Sequence, residues 1–369
     1  MTRSSLLRGI AAAALVAACP LAGGHALANG APHGVFAFIA LNGSPSPAIY
    51  RNASVVGVTL QATWAALEPS PGQFVWAALD AKIATAAEAG RVVALDVTPG
   101  VGSPAWVYAQ GAAKFTYQWT LPWGFTPCSM VSYPLPWDPI YGAAWKGFVA
   151  AFARHYAGNP AVVMVKVTGI NGPTSELLLP YSTLGHAPPF GTVCGNTPVA
   201  PVSAWKTAGY LPGKVTAAWN GFVGAFAAGF PTQQLVVQTG GWGFPPIDAN
   251  GNVIAGSEGD YALPKALLLA ASQTIGARYG VENDGLQSGY NWTPPATLPA
   301  DTLLGYETGA PVTGDPTCRA NGFVAPCDPV TVMQQAIARA NAASAAFLEL
   351  FPPDVTNPAL AETIAGFGG

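Results

Sequence analysis

The sequence predicts an α/β fold built as one (β/α)8 TIM barrel with long loops after strands 3 and 4. Three observations carry that expectation. Short runs rich in Val, Ile, Leu and Ala recur along the chain, and several are almost continuously apolar, as strands buried on both faces require. Helical segments separate them, in the rhythm of repeated βα units. Finally, no GxGxxG turn follows the first run and no P-loop occurs, which leaves an open doubly wound sheet as the weaker alternative.

The strand candidates are 33–41, 54–62, 91–98, 161–169, 234–240, 277–283, 302–308 and 345–351. Helices are expected over 75–89, 142–157, 202–228, 262–275 and 329–343, with a terminal one near 357–366. Asp328 and Pro329 form a cap-and-first-turn pair for the 329–343 helix. Two insertions stand out. Residues 99–141 carry Trp106, Trp119, Trp123, Trp137 and Cys128, and residues 170–201 carry Glu176, His186 and Cys194. Both follow strands, so both belong to the barrel face where active sites of this fold are assembled.

The N-terminus reads as an export signal. Arg3 and Arg8 form a basic n-region, Leu6 to Ala18 is a short apolar h-region, and small residues at 26–28 place cleavage after Ala28. This divides the chain into a 1–28 leader and a 29–369 catalytic barrel domain, secreted or periplasmic. A lipobox-like "VAAC" offers the alternative of a lipid anchor on Cys19, which Pro20 disfavours. No later apolar run reaches membrane-spanning length. Cys128, Cys194, Cys318 and Cys327 remain after cleavage. An even number in an oxidising compartment suggests two disulfides, with three possible pairings. Cys318–Cys327 and Cys128–Cys194 are favoured over the other pairings and over free buried thiols.

Composition excludes several function classes. The 369 residues are 50% hydrophobic and 9% charged, with a net charge of −3 and scattered basic residues, which argues against a nucleic-acid partner. No CxxC is present and the mature chain has only His33, His155 and His186, so no metal or other cofactor is expected. The same shortage of His, with no GxSxG elbow, weakens a Ser or Cys nucleophile mechanism. A polysaccharide lyase ranks last, because the loops hold few basic residues to neutralise a uronate. Nothing indicates an oligomer, so a monomer is expected.

Paired carboxylates remain, and they are the minimum equipment for glycoside hydrolysis. Acids at or just past predicted strand ends are Glu68, Asp96, Glu176, Glu282, Asp284, Glu307 and Glu349. Glu68 is expected to hold the turn of "LEP", Glu349 to line the barrel, and Glu282 and Asp284 to stand in reserve. Each main candidate has a plainer alternative: Glu176 as a helix cap or solvated loop acid, and Glu307 as a salt-bridge partner of Arg278 or Arg51. Trp76, Trp145, Trp205 and Trp219 fall on helices and are expected in the core. Trp64, Trp106, Trp123, Trp137, Trp242 and Trp292 fall on strand ends or loops, where an aromatic face can stack on a pyranose. Two or three are expected to do so. Tyr279 or Tyr290 is a candidate donor to the nucleophile's carboxylate at the sugar site.

A family resemblance rests on residues 57–108. Trp64, Leu67-Glu68-Pro69, Gly72, Phe74, Trp76, Asp80 and Gly90 form a phrase similar to the second and third βα units of (β/α)8 glycoside hydrolases of the large retaining clan. That clan includes cellulase-like enzymes and family 42-type β-galactosidases. "HYAGNPAVVMVKVTG" (155–169) resembles the clan's approach to strand four. The resemblance implies Glu176 as acid/base after strand four and Glu307, in "LLGYETGAP", as nucleophile on strand seven. The clan places Asn directly before its acid/base, whereas here Asn171 stands five residues ahead and is expected to reach the sugar 2-hydroxyl. "GPTSELLLP" also resembles the acid segment of the inverting β-amylases. The sequence therefore points to a secreted hydrolase of poly- or oligosaccharides. A carbohydrate-binding barrel without catalysis is the alternative.

Overall fold

The computed structural model describes residues 32–119, 126–171, 174–181, 194–195, 202–320, 322, 324 and 327–368. The leader, Trp123 and His186 lie outside the described residues. Eight parallel strands close into a barrel: Gly34–Ile39, Val55–Thr63, Val92–Thr98, Val162–Lys166, Gln234–Thr239, Tyr279–Leu286, Leu303–Thr308 and Phe347–Leu350. They are numbered one to eight below. Each pairs with its sequence neighbours, and closure comes from strand eight on strand one, with Gly34 opposite Phe347 and Ala37 opposite Leu350. All eight coincide with the runs expected from sequence.

The helices form where their ends are chemically marked. Asp138 accepts from the backbone N–H of Ile140 and Tyr141 and starts Pro139–Tyr156. Asp328 accepts from Thr331 N–H and starts Pro329–Ala342, as expected. Asp260 takes the N–H groups of Ala262 and Leu263 at the head of Ala262–Ile275. One expectation fails: 202–228 is two helices, Val202–Thr207 and Pro212–Gly229. Gly209 lies between them at φ 75°, and Pro212 opens the second helix, so the chain turns where one helix was expected. Among the described residues no helix is long and apolar enough to cross a membrane.

The described part of the loop after strand three has structure of its own. It carries a short helix, Ala105–Ala109, and an antiparallel hairpin, Lys114–Gln118 with Met130–Pro134, whose Phe115 stacks on Trp205 at 3.8 Å. Cys128 and Cys194 are bridged, tying the loops after strands three and four, and Cys318 and Cys327 are bridged as well.

Because alternate strand residues point inward, the barrel interior is layered. The lower layer is apolar: Phe36, Ala94, Met164, Val236 and Phe347 among others. Glycine makes room for the large rings. A Cβ on Gly305 would lie 2.0 Å from Phe347 Cζ, and one on Gly57 would lie 2.5 Å from Phe36 Cε1. Two residues further along strands two to eight the interior turns polar. Thr59, Asp96, Lys166, Gln238, Glu282, Glu307 and Glu349 are all buried there.

Two predictions follow from this layering. Gly305→Ala forces a Cβ into the Phe347 ring and lowers unfolding free energy by about 1–3 kcal/mol, read by urea denaturation. Lys166→Met strands buried carboxylates without their cation and costs about 3–5 kcal/mol, read the same way at neutral pH.

Candidate active site

The site grows from the polar layer toward the open end of the barrel. Lys166, on strand four, is enclosed completely. Its ammonium contacts Glu282 of strand six and lies 2.9 Å from Glu349 of strand eight, with the Phe347 ring 5.4 Å away. Thr59 donates to Glu349 at 2.6 Å. Glu282, Glu307 and Glu349 each bring an oxygen within 4.8 Å of the others, a spacing that accommodates a cation. The Lys166 ammonium supplies positive charge at this cluster.

Glu307 sits on the mouth side of this cluster, near the end of strand seven. Gln238 Nε2, from strand five, donates to its Oε2 at 2.9 Å. Burial raises the Glu307 pKa well above the usual carboxylate range. The charge of Glu349 adds to the shift, Lys166 opposes it, and Glu176 and Asp96 raise it further. Arg278 does not pair with Glu307 but donates to the carbonyls of Phe230, Gln233 and Ala227, so the salt-bridge alternative with that residue fails.

Glu176 reaches the site through an excursion of the chain. Strand four ends at Lys166, and its path continues along strand five, with Val167 N–H donating to Val236. The chain then loops out after Asn171 and returns, so that Leu177 N–H donates to the Gln238 carbonyl at 2.8 Å. Asn171 and Leu178 form a parallel bridge across the loop. Ser175 is buried against Asp96 and Gln238, and Glu176 is half-buried toward the mouth beside Trp242. Thr174 Oγ1 donates to Glu176 Oε1 at 3.2 Å, and Trp242 Nε1 donates to Glu176 Oε2 at 3.1 Å. Asp284, at the mouth end of strand six, lies beside Glu176. Its pKa is raised well above the usual range by burial, then by Glu176, then by Glu307. Three carboxyls from strands four, six and seven therefore meet at the mouth.

The remaining expected residues divide. Asn171 is 2% exposed; its Oδ1 accepts from Gly169 N–H, and its Nδ2 donates to the carbonyls of Ser175 and Glu176. Both ends of the side chain hold the loop, which corrects the expectation that it reaches a sugar hydroxyl. Trp64 is also corrected: it is fully buried against Trp106, Trp145 and Phe148, and its indole N–H goes to Glu68. Glu68 also accepts from Gly72 N–H, so it holds the turn as expected. Trp106 donates to the Glu68 carbonyl, and Trp137 packs on Trp205 and Tyr210. Both serve the framework around the helix Pro139–Tyr156 rather than the mouth. Trp242 is 46% exposed beside Glu176, and Trp292 packs against the adjoining turn, 3.0 Å from where a Gly241 Cβ would stand. Tyr290 is 49% exposed, whereas Tyr279 is buried at the far end of strand six, away from any nucleophile.

Sequence reasoning missed Lys166, Ser175 and Gln238 and held Asp284 only in reserve. For Lys166, Gln238 and Asp284 the signal is inward parity: each lies two residues beyond an interior position of its own strand, Met164, Val236 and Glu282, whereas Ser175 lies beyond the loop and has no such signal.

Residues 48–170, about a third of the chain, match the family model described as beta-galactosidase. No curated protein matches the chain. The catalytic domain of beta-amylase from Paenibacillus polymyxa is similar in structure, with a TM-score of 0.59 at 13% identity, covering 92% of this chain and 99% of that one. The beta-galactosidase from the psychrophilic Marinomonas ef1 gives a TM-score of 0.50 at 12% identity over 90% of this chain and 58% of its own. The segment similar to the beta-galactosidase family model contains the phrase at 57–108, and the two solved structures share this chain's barrel fold.

Proposed function

We propose that the protein is a secreted glycosidase that hydrolyses O-glycosidic bonds of an oligo- or polysaccharide, with Glu176 as the acid and Glu307 as the second carboxylate. The observation that carries this is the convergence of both on Gln238. The Gln238 backbone anchors the strand bearing Glu176, and its side chain holds Glu307. Glu176 is half-buried at the mouth and is placed to protonate a leaving oxygen. Glu307 lies deeper, where a carboxylate faces the anomeric carbon of a sugar seated in the barrel. In the retaining reaction Glu307 attacks that carbon, and Glu176 then takes a proton from the water that releases the sugar. Trp242, which both touches Glu176 and exposes its ring, is the aromatic surface best placed for the sugar, with Trp292 behind it and Tyr290 at the rim. The two disulfides support export to an oxidising compartment.

Inversion is the second reading, and one observation favours it. The retaining clan's Asn stands directly before its acid, whereas Asn171 here is consumed by the loop, in a segment similar to that of the inverting β-amylases. In that case Glu307 acts as base toward a water rather than as nucleophile, and the roles of Glu176 and the Trp242 surface are unchanged.

A panel of 4-nitrophenyl β-galactoside, β-glucoside and α-glucoside, with soluble starch and β-glucans, identifies a substrate. Proton NMR of the first-formed sugar then gives the anomer, and retention is expected. Glu176→Gln and Glu307→Gln should each lower kcat/KM by about 100-fold or more; full activity in both variants defeats the assignment. The pH profile carries a second prediction. Glu307 must be ionised to act, and its pKa is raised, so the acid limb of kcat/KM lies above the ordinary carboxylate range. Glu349→Gln removes a neighbouring negative charge and moves that limb to lower pH.

A further inference from the structure

Ser175 is 3% exposed and lies below the mouth, in contact with three polar groups. Its Oγ is 2.7 Å from Asp96 Oδ2, 2.9 Å from Gln238 Oε1 and 3.0 Å from Gln61 Nε2. The orientation of Gln61 is set from outside, because its Oε1 accepts from Leu41 N–H at 3.2 Å. Its amide protons therefore go inward, to Asp96 Oδ2 at 2.8 Å and to Ser175. Ser175 has one proton and two acceptors, Asp96 and Gln238, both within hydrogen-bonding distance. With Asp96 ionised and Gln238 Nε2 turned to Glu307, one of those contacts is oxygen against oxygen with no hydrogen between.

Two arrangements satisfy every contact with one acidic proton between the two carboxyls. In one, Asp96 is neutral and donates to Ser175, Ser175 donates to Gln238 Oε1, and Gln238 Nε2 donates to an ionised Glu307. In the other, the Gln238 amide is turned by half a turn. Glu307 is then neutral and donates to Gln238 Oε1, Gln238 Nε2 donates to Ser175, and Ser175 donates to an ionised Asp96. Each contains one acidic proton. The first has the amide orientation in which Gln238 Nε2 faces Glu307.

We propose that Asp96 and Glu307 hold a single proton between them through Ser175 and Gln238, and that the enzyme is armed when that proton rests on Asp96. Asp96, Ser175 and Gln238 are then positioning residues for Glu307. The chain runs from strand three, through the loop of strand four and strand five, to strand seven, beneath the sugar site. Asp96 faces Gln61 from strand two, Lys166 from strand four and Glu349 from strand eight, and Glu307 faces Lys166, Glu176, Glu282, Asp284 and Glu349. One ammonium among these carboxyls leaves an excess of negative charge that protons must offset. Burial agrees: it pushes the Asp96 pKa up to about 6, against the hydrogen bonds of Ser175 and Gln61 and the charge of Lys166. The loop between Asn171 and Glu176 thereby has a purpose, since it delivers Ser175 to the floor and Glu176 to the mouth in consecutive positions.

The proposal rests on Glu307 being the carboxylate that must be ionised, and its test needs no substrate. The full chain is labelled with 13C at Asp and Glu side-chain carboxyls. Asp96 and Glu307 are assigned by the signals lost in Asp96→Asn and Glu307→Gln, and both are titrated by NMR. In the wild type the two are expected to titrate in separated steps, with one proton held by the pair after the first. Ser175→Ala removes no charge, so through-space repulsion alone leaves Glu307 where it was. The relay instead predicts that its midpoint rises by about one pH unit, because Gln238 no longer holds the ionised form. Ser175→Thr keeps the hydroxyl and is expected to retain the wild-type titration, and it also carries the test if the alanine variant fails to fold. An unchanged Glu307 midpoint in folded Ser175→Ala overturns the proposal, as does a wild type in which the two carboxyls titrate independently. Glycosidase activity of Glu307→Gln is scored separately. Full activity there removes the catalytic role of Glu307, whereas the titration alone decides whether the proton is shared.

Discussion

One buried ammonium organises the site end of this barrel. Lys166 stands where strand four would otherwise continue its apolar run, and it meets Glu282 from strand six and Glu349 from strand eight, on the opposite side of the barrel. A charge removed from water is tolerated only with partners, and so are the carboxylates around it. Strands four, six and eight are thus fixed at one height, and Glu307 is held at the edge of the same cluster with a carboxyl too many for the available positive charge. Burial raises the pKa values of Glu307 and Asp96, and at Glu307 the neighbouring carboxylates add to the shift.

The division between framework and chemistry follows strand alternation. The layer below Lys166 is apolar and contributes packing, most visibly where Gly57 and Gly305 admit the rings of Phe36 and Phe347. The polar layer above it is a continuous set of side chains, and the groups proposed for catalysis lie on its upper edge. Ser175 and Glu176 divide the two levels between adjacent residues: one completes the floor and the other faces the mouth. On the proposed reading, Gln238 couples these levels, because its backbone supports the acid and its side chain supports the second carboxylate.

Much of this was legible in the sequence for identifiable reasons. Strands buried on both faces leave near-continuous apolar runs, so all eight barrel strands were visible. With so few acids in the chain, position along the strands narrowed the candidates to seven, and the family resemblance implied Glu176 and Glu307 among them. The disulfide pairing followed from four remaining cysteines distributed between two neighbouring long loops and one short closure. What escaped notice had equally physical causes. Lys166 is hidden in "VVMVKV", where one polar residue in an apolar run gives no sign of facing inward. Trp64 reads as a loop aromatic but is enclosed by Trp106 and Trp145, contacts made by chain segments far away in sequence. Asn171 was given the role a neighbouring Asn has in similar enzymes, yet the inserted loop needs its side chain to close upon itself. The break at Gly209 was passed over because the helical pattern resumes directly after it.

The central claim is that Glu176 and Glu307 form the working pair, with Glu307 attacking the sugar. Covalent labelling tests it most directly. The wild-type protein is incubated with the 2-deoxy-2-fluoro 2,4-dinitrophenyl form of the glycoside it cleaves, and the peptides are mapped by mass spectrometry. The account predicts a stoichiometric glycosyl adduct on Glu307, with dinitrophenol released in equal amount. An adduct on another carboxylate, or turnover of the parent glycoside with no adduct formed, contradicts it.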